Sequence, residues 1–237
     1  MIKTPWVNQD GKANRGSPLT ISAEDARECL NFSALLCSRL CHDLISPVGA
    51  MGNGIELLRD EDDPDMREQV ILLLEDSARQ TSNRLQFFRL AFGAAGGFGD
   101  KVDAREAQKA SEGLFSQGKT QLIWTADATT LPKDLVKLLL NLLLIGHESL
   151  IRGGSISVHV MIEDDQTLMA KVVGEGERYI LSEGTQRALK QGLTPEEVEP
   201  RSAPAQLAHL IALGCNATMY LDVSEPNRFT VGFSAPL

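Results

Sequence analysis

The feature that most constrains the fold is a pair of apolar seams in the first part of the chain. In each seam, apolar or small residues recur at alternating intervals of three and four, the spacing of a coiled-coil or helical-bundle contact. The first seam consists of Leu30, Ala34, Cys37, Cys41, Leu44, Val48, Met51, Ile55 and Leu58. The second consists of Ile71, Leu74, Ala78, Thr81, Leu85, Phe88 and Phe92. The pattern predicts two long helices, the first beginning near Ser22.

The two seams are separated by an acidic stretch, Asp60 to Asp65, that contains Pro64 and predicts a tight turn. Two long helices joined by a short loop lie antiparallel as a hairpin. This hairpin has a wide apolar stripe that nothing in its own half covers. Pairing with a second copy would bury the stripe in a four-helix bundle, so we expect a homodimer. The alternative is that the stripe packs on the C-terminal half of the chain.

The chain divides into a tail, a hairpin and a second domain. Residues 1–19 have no periodicity and are expected to form a flexible tail, and residues 20–95 hold the hairpin. A glycine-rich stretch, 93–99, marks the boundary to the second domain, 96–237. In that domain we predict helices over about 103–117, 133–151, 184–191 and 205–213, and strands over 120–126, 155–162, 168–173, 218–223 and 228–233. The expected fold class is therefore α + α/β, with helices packed on a mixed sheet.

Charge and hydropathy exclude several partners. The net charge of −9 argues against nucleic acid or an anionic membrane surface as a partner. No apolar run approaches the ~18 residues that a membrane span needs. The first twenty residues lack the apolar segment of a signal peptide. A cytoplasmic location is therefore expected.

The four cysteines are Cys29, Cys37, Cys41 and Cys215. Cys37 and Cys41 lie four residues apart within the first seam, so we interpret them as buried thiols rather than a disulfide pair. A metal site needs more ligands nearby than the sequence offers, and no metal is expected.

One of the four histidines differs from the others in its surroundings. His147 and His209 lie in apolar helical stretches, where a lone histidine is more often structural, and His159 alternates with valines on a predicted strand. His42 flanks the first seam without belonging to it. At about 100° per residue, the face that carries His42 is expected to point toward solvent and a partner. The other residues of this face are Ser38, Arg39, Ile45, Ser46, Gly49 and Asn53.

A proline follows this histidine within the same helix. Pro47 costs about 3 kcal/mol inside a helix, because it removes a backbone hydrogen bond and its ring crowds the carbonyl of Asp43. A proline kept close to an exposed His42-Asp43 pair indicates a kink at a functional site rather than a tolerated irregularity.

The string His42-Asp43-Leu44-Ile45-Ser46-Pro47 resembles the H-box of histidine kinases, in which a histidine, an adjacent acid and a proline lie in the first helix of a dimerisation hairpin. The HDLISP form most resembles the ChpT-type histidine phosphotransferases of bacterial phosphorelays. The resemblance covers roughly residues 28–237. It is specific at the H-box and the hairpin, and it extends to the second half only in topology.

The second half resembles a kinase ATP-binding domain that has lost its nucleotide. The segment 138–146 is similar to a kinase N-box, but the second asparagine of that box, a magnesium ligand, is replaced by Ile145. The segment 172–176 lacks the aspartate of the adenine-binding turn, and 200–204 replaces the glycine-rich lid. Without a metal ligand or a phosphate cradle, no ATP binding and no cofactor are expected.

The resemblance implies a phosphotransferase that works through a phosphohistidine. His42 would accept a phosphoryl group from an aspartyl phosphate on the receiver domain of a hybrid histidine kinase, and would pass it to receiver domains of response regulators. The receiver would supply the magnesium. Two alternatives remain open: an ATP-dependent kinase or a phosphatase, and a non-catalytic scaffold for response regulators.

The neighbours of His42 have several interpretations. Asp43 could orient the imidazole or accept its proton, or it could be a solvated helix charge. Arg39 could contact phosphoryl oxygens, or it could be a surface arginine without a role. The partner-binding surface is expected to include Ser38, Ile45, Ser46, Gly49 and Asn53.

Overall fold

The protein is described here from a computed structural model that covers residues 22–93, 100–116, 118–164 and 166–237. The predicted hairpin is formed by α1 (Ala23–Asp60) and α2 (Pro64–Ala91). The hydroxyl of Ser22 accepts a hydrogen bond from the backbone N–H of Asp25, and Asp63 caps α2 in the same way. Such caps satisfy N–H groups that the first turn of a helix leaves unpaired.

The C-terminal half combines short strands and helices. In chain order its elements are β1 (Lys101–Asp103), α3 (Ala104–Phe115), β2 (Thr120–Ala126), β3 (Thr130–Pro132), α4 (Lys133–Ser149), β4 (Gly154–Glu163), β5 (Thr167–Glu175), α5 (Glu183–Gln191), α6 (Ala203–Gly214), β6 (Thr218–Asp222) and β7 (Arg228–Pro236). A single 3₁₀ turn, Pro195–Glu197, lies between α5 and α6.

Five strands form one mixed sheet in the order β2-β4-β5-β7-β6. The β2–β4 pair is parallel, and the other three pairs are antiparallel. Alternate residues of β4, such as Ile156, Val158 and Val160, are buried against the helical layer. The predicted α + α/β fold class is thus confirmed.

The core of the C-terminal half also includes the end of α2. Phe87, Phe88 and Leu90 are at most 1 % exposed and belong to the same apolar cluster as the leucines of α4. Polar contacts support this packing, since the Asn83 amide donates to the backbone oxygen of Gly113 at 3.0 Å. The hairpin is therefore anchored on the C-terminal half by one end.

The rest of the hairpin leaves its seams uncovered. Val48 is 49 % exposed, Ile55 51 % and Leu85 45 %. The alternative in which the stripe packs on the C-terminal half is therefore wrong, except at the end of α2. The prediction that Cys37 and Cys41 are buried is also wrong for the single chain, because the seam faces away from the rest of the molecule.

The elements predicted for the second half are confirmed, with ends that shift by a few residues. The two-stranded sheet of β1 and β3 was not predicted, because strands of three residues are too short to show a period. The predicted tail 1–19 and residues 94–99 of the predicted boundary lie outside the described residues. Among the described helices, none combines the length and the apolar character needed to cross a membrane.

Candidate functional site

His42 lies on the open side of α1. Its side chain is 84 % exposed, and its Nδ1 atom lies 3.1 Å from Oδ1 of Asp43. An Nδ1–H group that donates to a carboxylate leaves the ring lone pair on Nε2. The arrangement therefore presents an oriented nitrogen nucleophile to solvent.

Asp43 is not a solvated helix charge, as one interpretation had it. Its side chain is only 12 % exposed, and its second oxygen, Oδ2, accepts a hydrogen bond from Nε of Arg39 at 3.1 Å. The carboxylate is thus held on one side by a guanidinium and is directed on the other side toward the ring of His42. Two fixed partners leave it little rotational freedom.

Arg39 is buried, so the expectation that it lies on the exposed face with His42 is wrong. Its guanidinium pairs with Asp43 and with Glu148 of α4, and its Nη1 lies 3.5 Å from the backbone oxygen of Pro200. Because these partners come from α1, α4 and the segment before α6, Arg39 joins the hairpin to the C-terminal half. The interpretation of Arg39 as a surface arginine without a role is therefore wrong.

A cleft of about 710 Å³ opens beside these residues, between α1 and the C-terminal half. Its lining includes Arg39, Asp43, Ile145, Glu148, Glu199 and Arg201. The side chain of Ile145 offers no oxygen to a metal ion, and the carboxylate of Glu148 is already paired with Arg39. The Asn141 amide donates instead to the backbone oxygens of Ala91 and Lys137. Ile145 therefore brings no metal ligand to this cleft, and Asn141 is fully buried and does not line it.

The remaining residues of the predicted partner-binding face are all exposed. This exposed strip consists of Ser38, Ile45, Ser46, Gly49 and Asn53. Ile45 exposes 69 % of its surface, and a Cβ atom at Gly49 would meet nothing within 4 Å. The strip is therefore open to close approach by another molecule along α1.

The other histidines have different surroundings. The ring of His147 lies 4.4 Å from that of Phe115, measured between centroids. Burial, together with the charge of Arg84, lowers the pKa of His147 to about 4. His159 and His209 are half-buried on β4 and α6. Among the described residues, no cluster of three or more His, Cys, Asp or Glu side chains could hold a metal ion.

Two residues of the site were not found from the sequence. Glu148 lies three residues after Ile145, so the helical period of α4 already places it near the same side of the helix. Arg84 of α2 donates from Nη1 to the backbone oxygen of Asp43 at 3.3 Å. The signal for Arg84 was its distance from the turn, since Asp43 and Arg84 lie at similar distances from the loop between Asp60 and Pro64. Residues so placed lie near each other in a hairpin.

Three comparisons with known proteins agree with this geometry. The family model of the histidine phosphotransferase C-terminal domain matches residues 104–227. The protein phosphotransferase ChpT of Brucella abortus (strain 2308) is 44 % identical over 181 residues, which cover 76 % of this chain and 81 % of that protein. A solved structure of a bacterial phosphotransferase matches with a TM-score of 0.75 and 34 % identity, over 92 % of this chain and 98 % of that one. The chain therefore belongs to the ChpT-type histidine phosphotransferases.

Proposed function

We propose that His42 carries the phosphoryl group. It accepts the group from an aspartyl phosphate on the receiver domain of a hybrid histidine kinase and passes it to receiver domains of response regulators. The observation that carries this proposal is the exposed imidazole, whose Nδ1 atom lies 3.1 Å from the carboxylate of Asp43. An oriented ring with one free nitrogen meets the need of a nucleophilic histidine.

Transfer of the phosphoryl group to His42 needs no added acid or base. The Nε2 lone pair attacks phosphorus, the bond between phosphorus and the aspartyl oxygen breaks, and the receiver's aspartate leaves as a carboxylate. The ring then holds the phosphoryl group on Nε2 and the proton on Nδ1, so it is positively charged, and the carboxylate of Asp43 stabilises that charge. The reverse sequence delivers the group to a second receiver.

In this scheme the receiver supplies the magnesium ion, and the exposed strip on α1 supplies the docking contacts. A receiver brings its own metal to its aspartyl phosphate, and this chain need only offer the nucleophile. Ile45 supplies an apolar contact beside His42, and Gly49 allows close approach of a partner's backbone or helix. Arg39 acts on Asp43 in this scheme, because its donors already face two carboxylates.

We further propose that transfer does not depend on ATP. The support is the cleft described above, where Ile145 stands at the metal-ligand position and Asn141 is used to hold the end of α2. The guanidinium of Arg39 is already paired with Asp43 and Glu148, so it is not free to bind the phosphates of a nucleotide in this cleft. These residues favour transfer between receivers over the ATP-dependent kinase alternative.

The proposed working form is a homodimer located in the cytoplasm. Several seam side chains on both helices are at least 45 % exposed on the single chain: Leu30, Val48, Ile55, Ile71 and Leu85. Apolar surface of this extent is seldom left in water, and a second hairpin would cover it as a four-helix bundle. The net charge of −9 favours protein partners over nucleic acid or membrane.

The test is a two-step transfer with purified proteins. The chain is mixed with a receiver domain that carries labelled aspartyl phosphate, and the label is followed onto the chain and then onto a second receiver. His42→Ala should carry no label, and His159→Ala, matched in residue type and also partly exposed, should carry it normally. Labelling of the His42→Ala chain would overturn the proposal, and so would a wild-type chain that never takes the label.

A further inference from the structure

We infer that Arg84 is a positioning residue for phosphoryl transfer, because it holds the backbone carbonyl of Asp43 that Pro47 leaves without its helical donor. In an α-helix the N–H of each residue donates to the carbonyl four residues before it. Proline has no N–H group, so Pro47 cannot donate to the oxygen of Asp43. That oxygen belongs to the residue that orients His42.

The missing donor is replaced from the neighbouring helix. Nη1 of Arg84, on α2, donates to the backbone oxygen of Asp43 at 3.3 Å. A guanidinium donor makes a stronger bond than a neutral N–H, and its planar shape fixes the direction of the contact. Asp43 is thus held twice, at its carboxylate by Arg39 and at its carbonyl by Arg84.

The second contact matters because a proline in mid-helix allows the chain to bend there. A helix that lacks one backbone hydrogen bond is less constrained in the turn before the proline, which here carries His42 and Asp43. Arg84 ties this turn to α2, whose own end is buried in the core of the C-terminal half. The position of the imidazole relative to an incoming phosphoryl group is then set by the hairpin as a whole.

Arg84 does not reach this turn from the partner-facing side. Arg84 is half-buried, and it lines a small pocket of about 140 Å³ between α2 and the C-terminal half, together with Gln80, Asn83 and His147. The exposed strip lies on the other side of α1. A contact between Arg84 and a docked receiver is therefore not needed to explain an effect of this residue on transfer.

The proposal rests on His42 as the phosphoacceptor, and its test is a cycle of Arg84→Ala, Pro47→Ala and the double variant. Label transfer from a phosphorylated receiver domain is timed for each full-length chain. Alone, Arg84→Ala should slow transfer about tenfold, the usual cost of losing a hydrogen bond to a charged group. In the Pro47→Ala chain, the restored backbone N–H of residue 47 donates to the Asp43 carbonyl. Adding Arg84→Ala to that chain should therefore change the rate by less than about twofold. Arg84→Lys keeps a donor and should retain most of the rate.

A second readout does not depend on transfer at all. The ¹³C resonance of the Asp43 carbonyl reports its hydrogen bond, and it should move to lower frequency in Arg84→Ala but not in the double variant. Arg89→Ala, which breaks only an exposed ion pair with Glu106, serves as the control for both readouts. Equal slowing by Arg84→Ala in both backgrounds, or an unmoved resonance, would overturn the inference. Transfer by the His42→Ala chain would instead overturn the proposed function. The resonance measurement would still test the hydrogen bond between Arg84 and the Asp43 carbonyl.

Discussion

Glu148 of α4 forms an ion pair with Arg39 of α1, across the boundary between the hairpin and the C-terminal half. The pair continues through Asp43 to the imidazole of His42, so one chain of polar contacts joins the second domain to the ring of His42. The second domain contributes to this site through its own side chains. Its helix α4 supplies a carboxylate that fixes the arginine, and the arginine fixes the acid beside His42.

Replacing Arg39 by methionine tests this chain of contacts. Asp43 and Glu148 would lose a charged partner, and Asp43 is only 12 % exposed. We expect the free energy of unfolding to fall by about 1–3 kcal/mol, the cost of leaving such a group unsatisfied, and transfer to slow as well. Urea unfolding and the rate of label transfer measure the two effects. Arg152→Met, which breaks an exposed pair with Glu177, should change stability by less than about 1 kcal/mol. Equal effects of both substitutions would contradict the role given to Arg39.

His42→Ala should abolish phosphoryl transfer and leave the stability of the protein nearly unchanged. The side chain of His42 is 84 % exposed and buries little surface, so the melting temperature should stay close to that of the wild type. Transfer should be lost, because Ser38 and Ser46 are poor nucleophiles without an adjacent base. The label on the wild-type chain should be lost in acid and kept in base, as a phosphoramidate is. A label that survives acid would point to a different acceptor.

Dimerisation depends on the uncovered seam. Leu85→Glu places a charge on this seam and should give a monomer or an aggregate, because an unpaired charge in an apolar interface is costly. Ile123→Glu is a matched control, since both wild-type side chains are 45 % exposed and Ile123 lies on β2, away from the seam. Light scattering across micromolar concentrations distinguishes the outcomes. A wild-type chain with the mass of a monomer would rule out the homodimer.

Much of this arrangement could be predicted from the sequence. The two seams and the turn at Pro64 determine a hairpin, and the helical period places His42, Ile45 and Gly49 on an open face. The positions of Asp43 and Arg39 could not be predicted in the same way. Arg39 lies toward the interior because it pairs with Glu148, which is far away in the chain, and the carboxylate of Asp43 pairs with Arg39.

Periodicity describes one helix at a time, so it does not show what covers each side of that helix. Arg39 lies only 60° from His42 around α1, yet it is buried, and His42 is almost fully exposed. The difference arises from α4 and from the backbone around Pro200, which close over one edge of the face. The same limitation explains Cys37 and Cys41, whose apolar spacing indicates a contact but does not say with which chain.

Calorimetry with magnesium and ATP tests directly whether the chain binds the nucleotide. No heat of binding is expected at micromolar to millimolar ATP, because Ile145 cannot coordinate the metal and Arg39 is already paired with Asp43 and Glu148. Ile145→Asn restores an amide at the metal-ligand position and serves as a comparison. A micromolar dissociation constant for the wild type would favour the ATP-dependent kinase.

The last prediction concerns the pH dependence of stability, which His147 should dominate on the acid side. Its folded-state pKa is lowered from 6.5 to about 4 by burial and by the charge of Arg84. Between these two values the unfolded chain binds a proton that the folded chain does not. The stability from this group is therefore complete above about pH 6.5, is lost as the pH falls toward 4, and amounts to roughly 3 kcal/mol at most.

His147→Phe should remove this dependence and preserve the fold. A phenyl ring keeps the contact with Phe115, and it also removes a buried Nδ1 atom that has no hydrogen-bond partner among the described residues. The variant should thus be at least as stable as the wild type at pH 7 and clearly more stable at pH 5. Urea unfolding at several pH values between 7 and 4 gives both curves. Parallel curves for the two proteins would show that a different group, such as a paired carboxylate, sets the acid sensitivity.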